Sequence, residues 1–283
     1  MLPNFLIVGT MKSGTTSLAR TLARHPDVFM PRDEVHFFNR HLAKGTAWYE
    51  AHFAEGLGRK AVGEKTPNYS LVADNPGMPG AIHRLLPEAR LIWIFRDPVA
   101  RSYSHWWHAV RKREERYDFA HCVQRELNGH AHSRHHRYVA SSDYPAQVRA
   151  FQALYPAERT LYMLFEDFVR DQQACTARAC TFLGLDPGRL PPLEPVRVNY
   201  GTRARRPAAT RLGGHVRRAL VRLGQAARLR GPELRYMPLD ERLGRSLQAR
   251  FAPWYDDFAT LTGLDPAPWR SDKPAWQGAF AAD

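Results

Sequence analysis

The sequence predicts an α/β fold, with a central parallel sheet flanked by helices on both faces, in a single domain over 1–283. Three observations carry this. Short apolar runs alternate with amphipathic stretches of helical length, the order expected of β–α units. The run Arg90-Leu-Ile-Trp-Ile-Phe95 reads as a fully buried strand. Phe5-Leu-Ile-Val8 leads directly into Gly9-Thr-Met-Lys-Ser-Gly-Thr-Thr16, the strand–loop–helix layout that cradles phosphate, so the sheet is P-loop-type.

Taken in order, a short strand at 5–8 precedes a helix over 15–24, ended by His25-Pro26. A helix near 48–53, a strand at 61–63 and a helix at 81–86 stopped by Pro87 follow. After the strand 90–95, Pro98 stands where a first-turn proline belongs, and an amphipathic helix with a basic end runs from 99 to about 114. Residues 116–142 are polar and histidine-rich, and read as a short helix plus a mobile excursion. A helix at 144–155, a strand at 160–164 and a helix near 172–183, ended by Gly184, complete the alternation. Proline-rich 187–195 is a linker, and 200–235, rich in Arg and Gly, is expected to cover the site with 116–142. A last helix spans about 239–261, broken or kinked at Pro253.

No apolar run reaches the roughly 20 residues of a membrane span, and no leader-like segment precedes the first strand, so a cytoplasmic enzyme is expected. Three cysteines make no disulfide framework; Cys122, Cys175 and Cys180 read as buried free thiols of a reducing compartment. The net charge of +13 favours anionic partners or reflects an arginine-rich solvated surface. The arginines are spread rather than gathered into a tail or recognised motif, which disfavours nucleic acid. His130, His132, His135 and His136 have no nearby cysteine or acid to complete a zinc set, so no metal is expected there.

The opening loop is unusual in one respect. A nucleoside-triphosphate loop carries its lysine after the second glycine, beside a hydroxyl for magnesium. Here Lys12 lies inside the loop and Thr15 follows Gly14. The backbone can still wrap a phosphate. The cation that would touch the transferred group has moved, which points to another nucleotide and another leaving group.

Four further segments carry chemistry. Arg32-Asp-Glu-Val-His-Phe-Phe-Asn39 embeds Glu34 beside aromatic residues, where a carboxyl can have a raised pKa and act as a base, or can be a strand-end carboxylate. Glu64-Lys-Thr-Pro-Asn-Tyr69 places a cation, Lys65, just after a short strand, where it can form a surface ion pair with Glu64. Arg96-Asp-Pro-Val-Ala-Arg-Ser-Tyr-Ser-His105 puts Arg96 at a strand's C-terminal end, where ligands bind in open parallel sheets, and Ser104 in the next helix. Asp97 reads as that helix's cap rather than a metal ligand. Trp106 and Trp107 offer a stacking surface, with at least one in the core. The fourth segment is the basic run Asn199-Tyr-Gly-Thr-Arg-Ala-Arg-Arg206.

Together these segments resemble the sulfotransferases that use 3′-phosphoadenosine 5′-phosphosulfate (PAPS), and most closely the heparan sulfate N- and 3-O-sulfotransferase branch with its bacterial relatives. The resemblance rests on Lys12-Ser-Gly-Thr-Thr-Ser-Leu18, Glu34-Val-His-Phe-Phe-Asn39, Glu64-Lys-Thr-Pro-Asn-Tyr69 and the Arg96–His105 run, with weaker echoes at Leu164-Phe-Glu-Asp-Phe168, Phe182-Leu-Gly-Leu185 and the ending 261–269.

The resemblance implies roles. Lys12 would hold the 5′-phosphate and bridging oxygen, with Ser13, Gly14, Thr15, Thr16 and Ser17 completing the cradle. Arg96 and Ser104 would bind the 3′-phosphate, and Arg203, Arg205 or Arg206 would close over it. Glu34 would be the general base of an in-line displacement, with Lys65 and His36 around the reacting centre and His36 chiefly a hydrogen-bonder. The expected acceptor is a saccharide, glycolipid or small specialised metabolite offering a hydroxyl or amine, and no metal is required. A kinase on a variant loop and a non-catalytic polyanion-binding module are the competing readings. The membrane anchor and disulfide-held loop of the animal heparan enzymes are not expected here, and the acceptor regions 40–60 and 112–145 share little with them beyond position, so heparan itself does not carry over.

Overall fold

A computed structural model describes residues 1–130, 137–193, 237–272 and 276, together with the backbone of Ala204–Pro207 and Arg230–Leu234. Five parallel strands form the central sheet in the order β2-β3-β1-β4-β5. They are β1 Phe5–Gly9, β2 Val28–Phe29, β3 Ala61–Lys65, β4 Arg90–Phe95 and β5 Thr160–Leu164. The expected α/β class and parallel sheet are therefore present.

Side-chain alternation along the strands divides the core into two layers. Leu6, Val8, Leu91, Trp93 and Phe95 face one layer, while Phe5, Ile7, Ile92 and Ile94 face the other. The first is covered by α3 (Met78–Leu85), α4 (Pro98–Lys112), α6 (Tyr144–Gln152) and the C-terminal helices α9 (Glu241–Phe251) and α10 (Tyr255–Thr262). The second is covered by α1 (Thr15–Leu22) and α8 (Gln172–Phe182). Helices α2 (Gly45–Ala51), α5 (Phe119–Leu127), α7 (Phe165–Arg170) and α11 (Ala267–Arg270) complete the elements used below.

Some elements differ from the sequence reading. β3 runs two residues beyond the expected strand and carries Lys65 at its end. α2 begins earlier than the helix expected near 48–53, because Gly45 opens it after a turn at Leu42–Lys44. β2 has two residues and α7 six, too short for either to show a period. The C-terminal helix breaks where Pro253 predicts: a tight turn at Ala252–Trp254 separates α9 from α10. The three cysteines are free and buried. Among the described residues no helix is long and apolar enough to cross a membrane.

Candidate active site

The functional segments converge on the C-terminal edge of the sheet, where β1, β3, β4 and β5 end side by side. The loop after β1 turns into α1 through Gly14, whose φ of 87° is left-handed. A Cβ there would stand 2.8 Å from the Phe165 ring, so this position requires glycine on both conformational and steric grounds. Lys12 also has positive φ, at 72°. No side chain caps α1 and its first turn carries no acid, so the N–H groups of its opening turn are available to an anion.

Ser13 turns inward. Its hydroxyl lies 2.6 Å from that of Thr10, and its amide donates to the Thr10 carbonyl. Thr15 is buried, Ser17 half-buried and Thr16 exposed on the same turn.

Lys12 is surrounded by positive charge. Its pKa falls from the ordinary value to about 8, first through burial and then through repulsion by Arg111, Arg96, Lys112 and Arg101. Arg96 is buried at the end of β4 and donates from Nη1 to the Lys12 carbonyl at 3.2 Å. Asp97 caps α4 as expected, accepting the Ala100 amide at 2.8 Å. It is fully buried, which pushes its carboxyl up to about 7, and it serves the helix rather than a metal. Ser104 lies half-buried on α4, whereas Ser102 points into the core and bonds the Pro98 and Tyr138 carbonyls.

The opposite side is built from the segment after β2. Val35, Phe37 and Phe38 are buried, while Glu34 and His36 remain half-buried. The rings of Phe37 and Tyr49 stack at 4.3 Å, and Phe38 meets Tyr69 edge-on at 5.4 Å, which fixes the backbone between the two polar side chains. Glu34 Oε1 accepts from Lys65 Nζ at 2.8 Å, and Oε2 lies 3.1 Å from His36 Nε2. His36 in turn places Nδ1 3.2 Å from Asn39 Oδ1.

Two expectations are corrected here. Burial alone would raise the Glu34 carboxyl, but hydrogen bonds from His36 and Lys65 reverse that and hold it at about 2. Lys65 pairs with Glu34 and not with its neighbour Glu64. Glu64 is buried and accepts from the hydroxyls of Tyr49, Thr66 and Tyr69 at 2.6–3.0 Å, and burial raises its pKa.

Lys65 joins the two sides, because Nζ also donates to Thr16 Oγ1 at 3.1 Å. His108 belongs to the same group. Burial, then Lys12, Lys112 and Arg111, push its pKa down to about 3, while Glu34 opposes them. The sequence reading missed it, although Ser104, His108 and Arg111 stand at helical spacing on one half-buried face of α4.

Trp107 is core, and Trp106 stacks on Tyr103 at 5.5 Å while donating to the Tyr117 carbonyl. Arg205 lies on β6 (Ala204–Pro207), which is described by its backbone alone. Arg203, His132, His135 and His136 lie outside the described residues, and His130 is exposed. Among the described residues no three His, Cys, Asp or Glu side chains cluster closely enough to hold a metal ion.

Comparison with known proteins shows what the chain is similar to. The model of a family described as "Sulfotransferase family" matches residues 3–74 and 50–187. A membrane-associated sulfotransferase, kil1, of Dictyostelium discoideum is 37% identical over 137 residues, covering 45% of this chain and 28% of its own length. Human heparan sulfate glucosamine 3-O-sulfotransferase 6 is 31% identical over 183 residues, covering 65% of this chain and 52% of that protein. The chain thus spans about half or less of these relatives. The crystal structure of a sulfotransferase from Alicyclobacillus acidocaldarius superposes with a TM-score of 0.73 at 25% identity, covering 96% of this chain and all of that one.

Proposed function

This chain belongs to the sulfotransferase family, and we propose that it moves a sulfuryl group from PAPS to a hydroxyl or amine of an acceptor by in-line displacement, with Glu34 as general base. One observation carries the reading. A single ammonium, Lys65 Nζ, touches both the Glu34 carboxylate and Thr16 on the first turn of the phosphate loop's helix. The base and the anion cradle are therefore within one side chain of each other, as group transfer requires.

The residues fit a nucleotide with two separated phosphate groups. Lys12 and the N–H groups of the first turn of α1 would hold the 5′ end, and Arg96 with Ser104 the 3′-phosphate. Arg203, Arg205 and Arg206 are the candidates to close over it. The charged neighbours that act most on Lys12 are all cations, so a bound polyanion would relieve their repulsion. PAPS supplies an activated sulfuryl group, and Lys12 stabilises the charge that develops on the leaving phosphate.

On the acceptor side Glu34 receives the proton. At about 2 its carboxylate is ionised at neutral pH but weakly basic, because His36 and Lys65 hold it. If Lys65 turns toward the negative charge of the reacting group, its grip on Glu34 loosens and the carboxyl becomes more basic. His108, neutral at physiological pH, offers a hydrogen bond rather than a charge beside the acceptor. The relatives named for heparan sulfate support a saccharide acceptor.

The test is an acceptor screen with labelled PAPS in the presence of EDTA, run beside Glu34→Gln. Transfer that vanishes in the variant supports the reading. ATP turnover that requires magnesium, without PAPS turnover, would establish the kinase instead.

A further inference from the structure

The Leu164-Phe-Glu-Asp-Phe168 run has so far no part in the site, yet the sheet register places it against the nucleotide side. β5 pairs with β4 through Phe95↔Leu164, so the next residues, Arg96 and Phe165, leave the sheet side by side. The Arg96 guanidinium carbon lies 4.8 Å from the centre of the Phe165 ring. The same ring is pressed against the loop at Gly14, where a Cβ would come within 2.8 Å of it. Phe165 therefore fills the space between the phosphate loop and the arginine.

The following residue acts on the same arginine through the backbone. Glu166 Oε1 accepts the amide of Asp97 at 2.9 Å, fixing the peptide that leaves Arg96. The hydroxyl of Tyr144 donates to the Arg96 carbonyl at 2.8 Å, and Asp97 caps α4, which carries Ser104. Two adjacent side chains thus hold the guanidinium, its peptide and the start of the Ser104 helix.

The choice of an aromatic partner has an electrostatic consequence. A carboxylate in salt-bridge contact would orient Arg96 but neutralise it and compete with phosphate, as Glu34 does for Lys65. A ring face orients a cation and leaves its charge available. Among the described residues Arg96 forms no salt bridge. Burial raises the carboxyls of both acids that interact with Arg96 through their charge, Asp97 and Glu166.

We propose that Phe165 and Glu166 are positioning residues for Arg96, holding its guanidinium toward the nucleotide without neutralising it and so setting the preference for a nucleotide that bears a 3′-phosphate. The proposal rests on the nucleotide reading given above.

Calorimetric titration of the full chain with 3′,5′-ADP and with 5′-AMP tests it. Phe165→Leu is expected to weaken 3′,5′-ADP about tenfold while 5′-AMP changes by less than about twofold, a loss of the size of one desolvated cation–ring contact. Phe165→Tyr keeps the wild-type ratio. Glu166→Leu, which leaves the Asp97 amide without its acceptor, lowers the ratio in the same direction. Glu166→Gln restores it, because an amide oxygen still accepts that N–H. The Glu166 pair decides the matter should Phe165→Leu fail to fold. Unchanged ratios in Phe165→Leu and Glu166→Leu, whether both affinities hold or fall together, overturn the inference and leave the nucleotide reading standing. A wild-type chain that binds the two nucleotides equally overturns the nucleotide reading, and this inference with it.

Discussion

Lys12 and Glu34 are both half-buried charges at the C-terminal edge of one sheet, yet their surroundings act on them in opposite ways. Around Lys12, burial and four cations work together against the charged form and bring the ammonium down to about 8. Around Glu34, burial is outweighed by Lys65 and His36, and the carboxylate is held in its charged form at about 2. The Lys12 side carries unbalanced positive charge, which the proposed nucleotide would offset. The Glu34 side is already paired, and under the proposed mechanism it must be partly undone before Glu34 can take a proton. The proposed transfer would use this difference, with an anionic donor drawn to the Lys12 side by charge and Glu34 freed only as Lys65 turns to the reacting group.

The largest break in this comparison is expected from Glu34→Gln. It removes the proton acceptor but keeps an oxygen for Lys65, so transfer measured at saturating donor falls about 10²- to 10⁴-fold. Affinity for 3′,5′-ADP, measured by calorimetry, stays within about twofold. Arg96→Ala attacks the other side. Losing a charge-assisted contact costs about 1.5–3 kcal/mol, so 3′,5′-ADP binding weakens roughly 10- to 150-fold while 5′-AMP binding changes little.

pH sharpens the comparison without mutation. A bound phosphate moves the Lys12 pKa up from about 8. A group whose pKa rises on binding contributes fully below its free value and less above it. The Lys12 contribution to nucleotide affinity is therefore level below pH 8, where from about pH 7 the phosphates are doubly ionised, and it falls as pH rises beyond 8, by up to about tenfold per unit, with proton uptake visible in buffers of different ionisation enthalpy. Glu34 adds no titration of its own above about pH 3, since its pKa lies near 2 in the free chain.

The smallest effect on chemistry is expected behind the base. Tyr49→Phe removes a hydroxyl that donates to buried Glu64 at 2.6 Å. It should cost about 1–3 kcal/mol of stability, read as a lower thermal midpoint, with transfer per folded molecule nearly unchanged.

How much of this was readable in the sequence follows from the range of the forces involved. β4 and β5 stand at their expected bounds: β4, buried on both faces, writes itself as an apolar run, and β5 alternates half-buried and buried positions up to Met163 and Leu164. The phosphate loop was readable because its backbone needs Gly14 at a position where no other residue fits. β2 was not, since two residues carry no pattern and the strand exists only by pairing with β3. Glu34 was found as a residue but its basicity was read in the wrong direction. The aromatic neighbours that suggest a raised pKa are adjacent in sequence; of the two groups that lower it, His36 is local but its contact depends on the fold, and Lys65 arrives from β3. His108 was missed for the same reason, as Lys12 and Glu34 reach it only across the fold. Local chemistry is legible in the chain, while the electrostatic balance of the site is a property of its packing.

The most direct test of the central claim compares three ligands on the wild-type chain by calorimetry: 3′,5′-ADP and 5′-AMP in EDTA, and ATP with magnesium. A nucleotide side built around Lys12 and Arg96 predicts that 3′,5′-ADP binds most tightly, at least about tenfold above 5′-AMP, with no requirement for the metal. Tighter binding of ATP with magnesium, or equal affinity for 3′,5′-ADP and 5′-AMP, would contradict it.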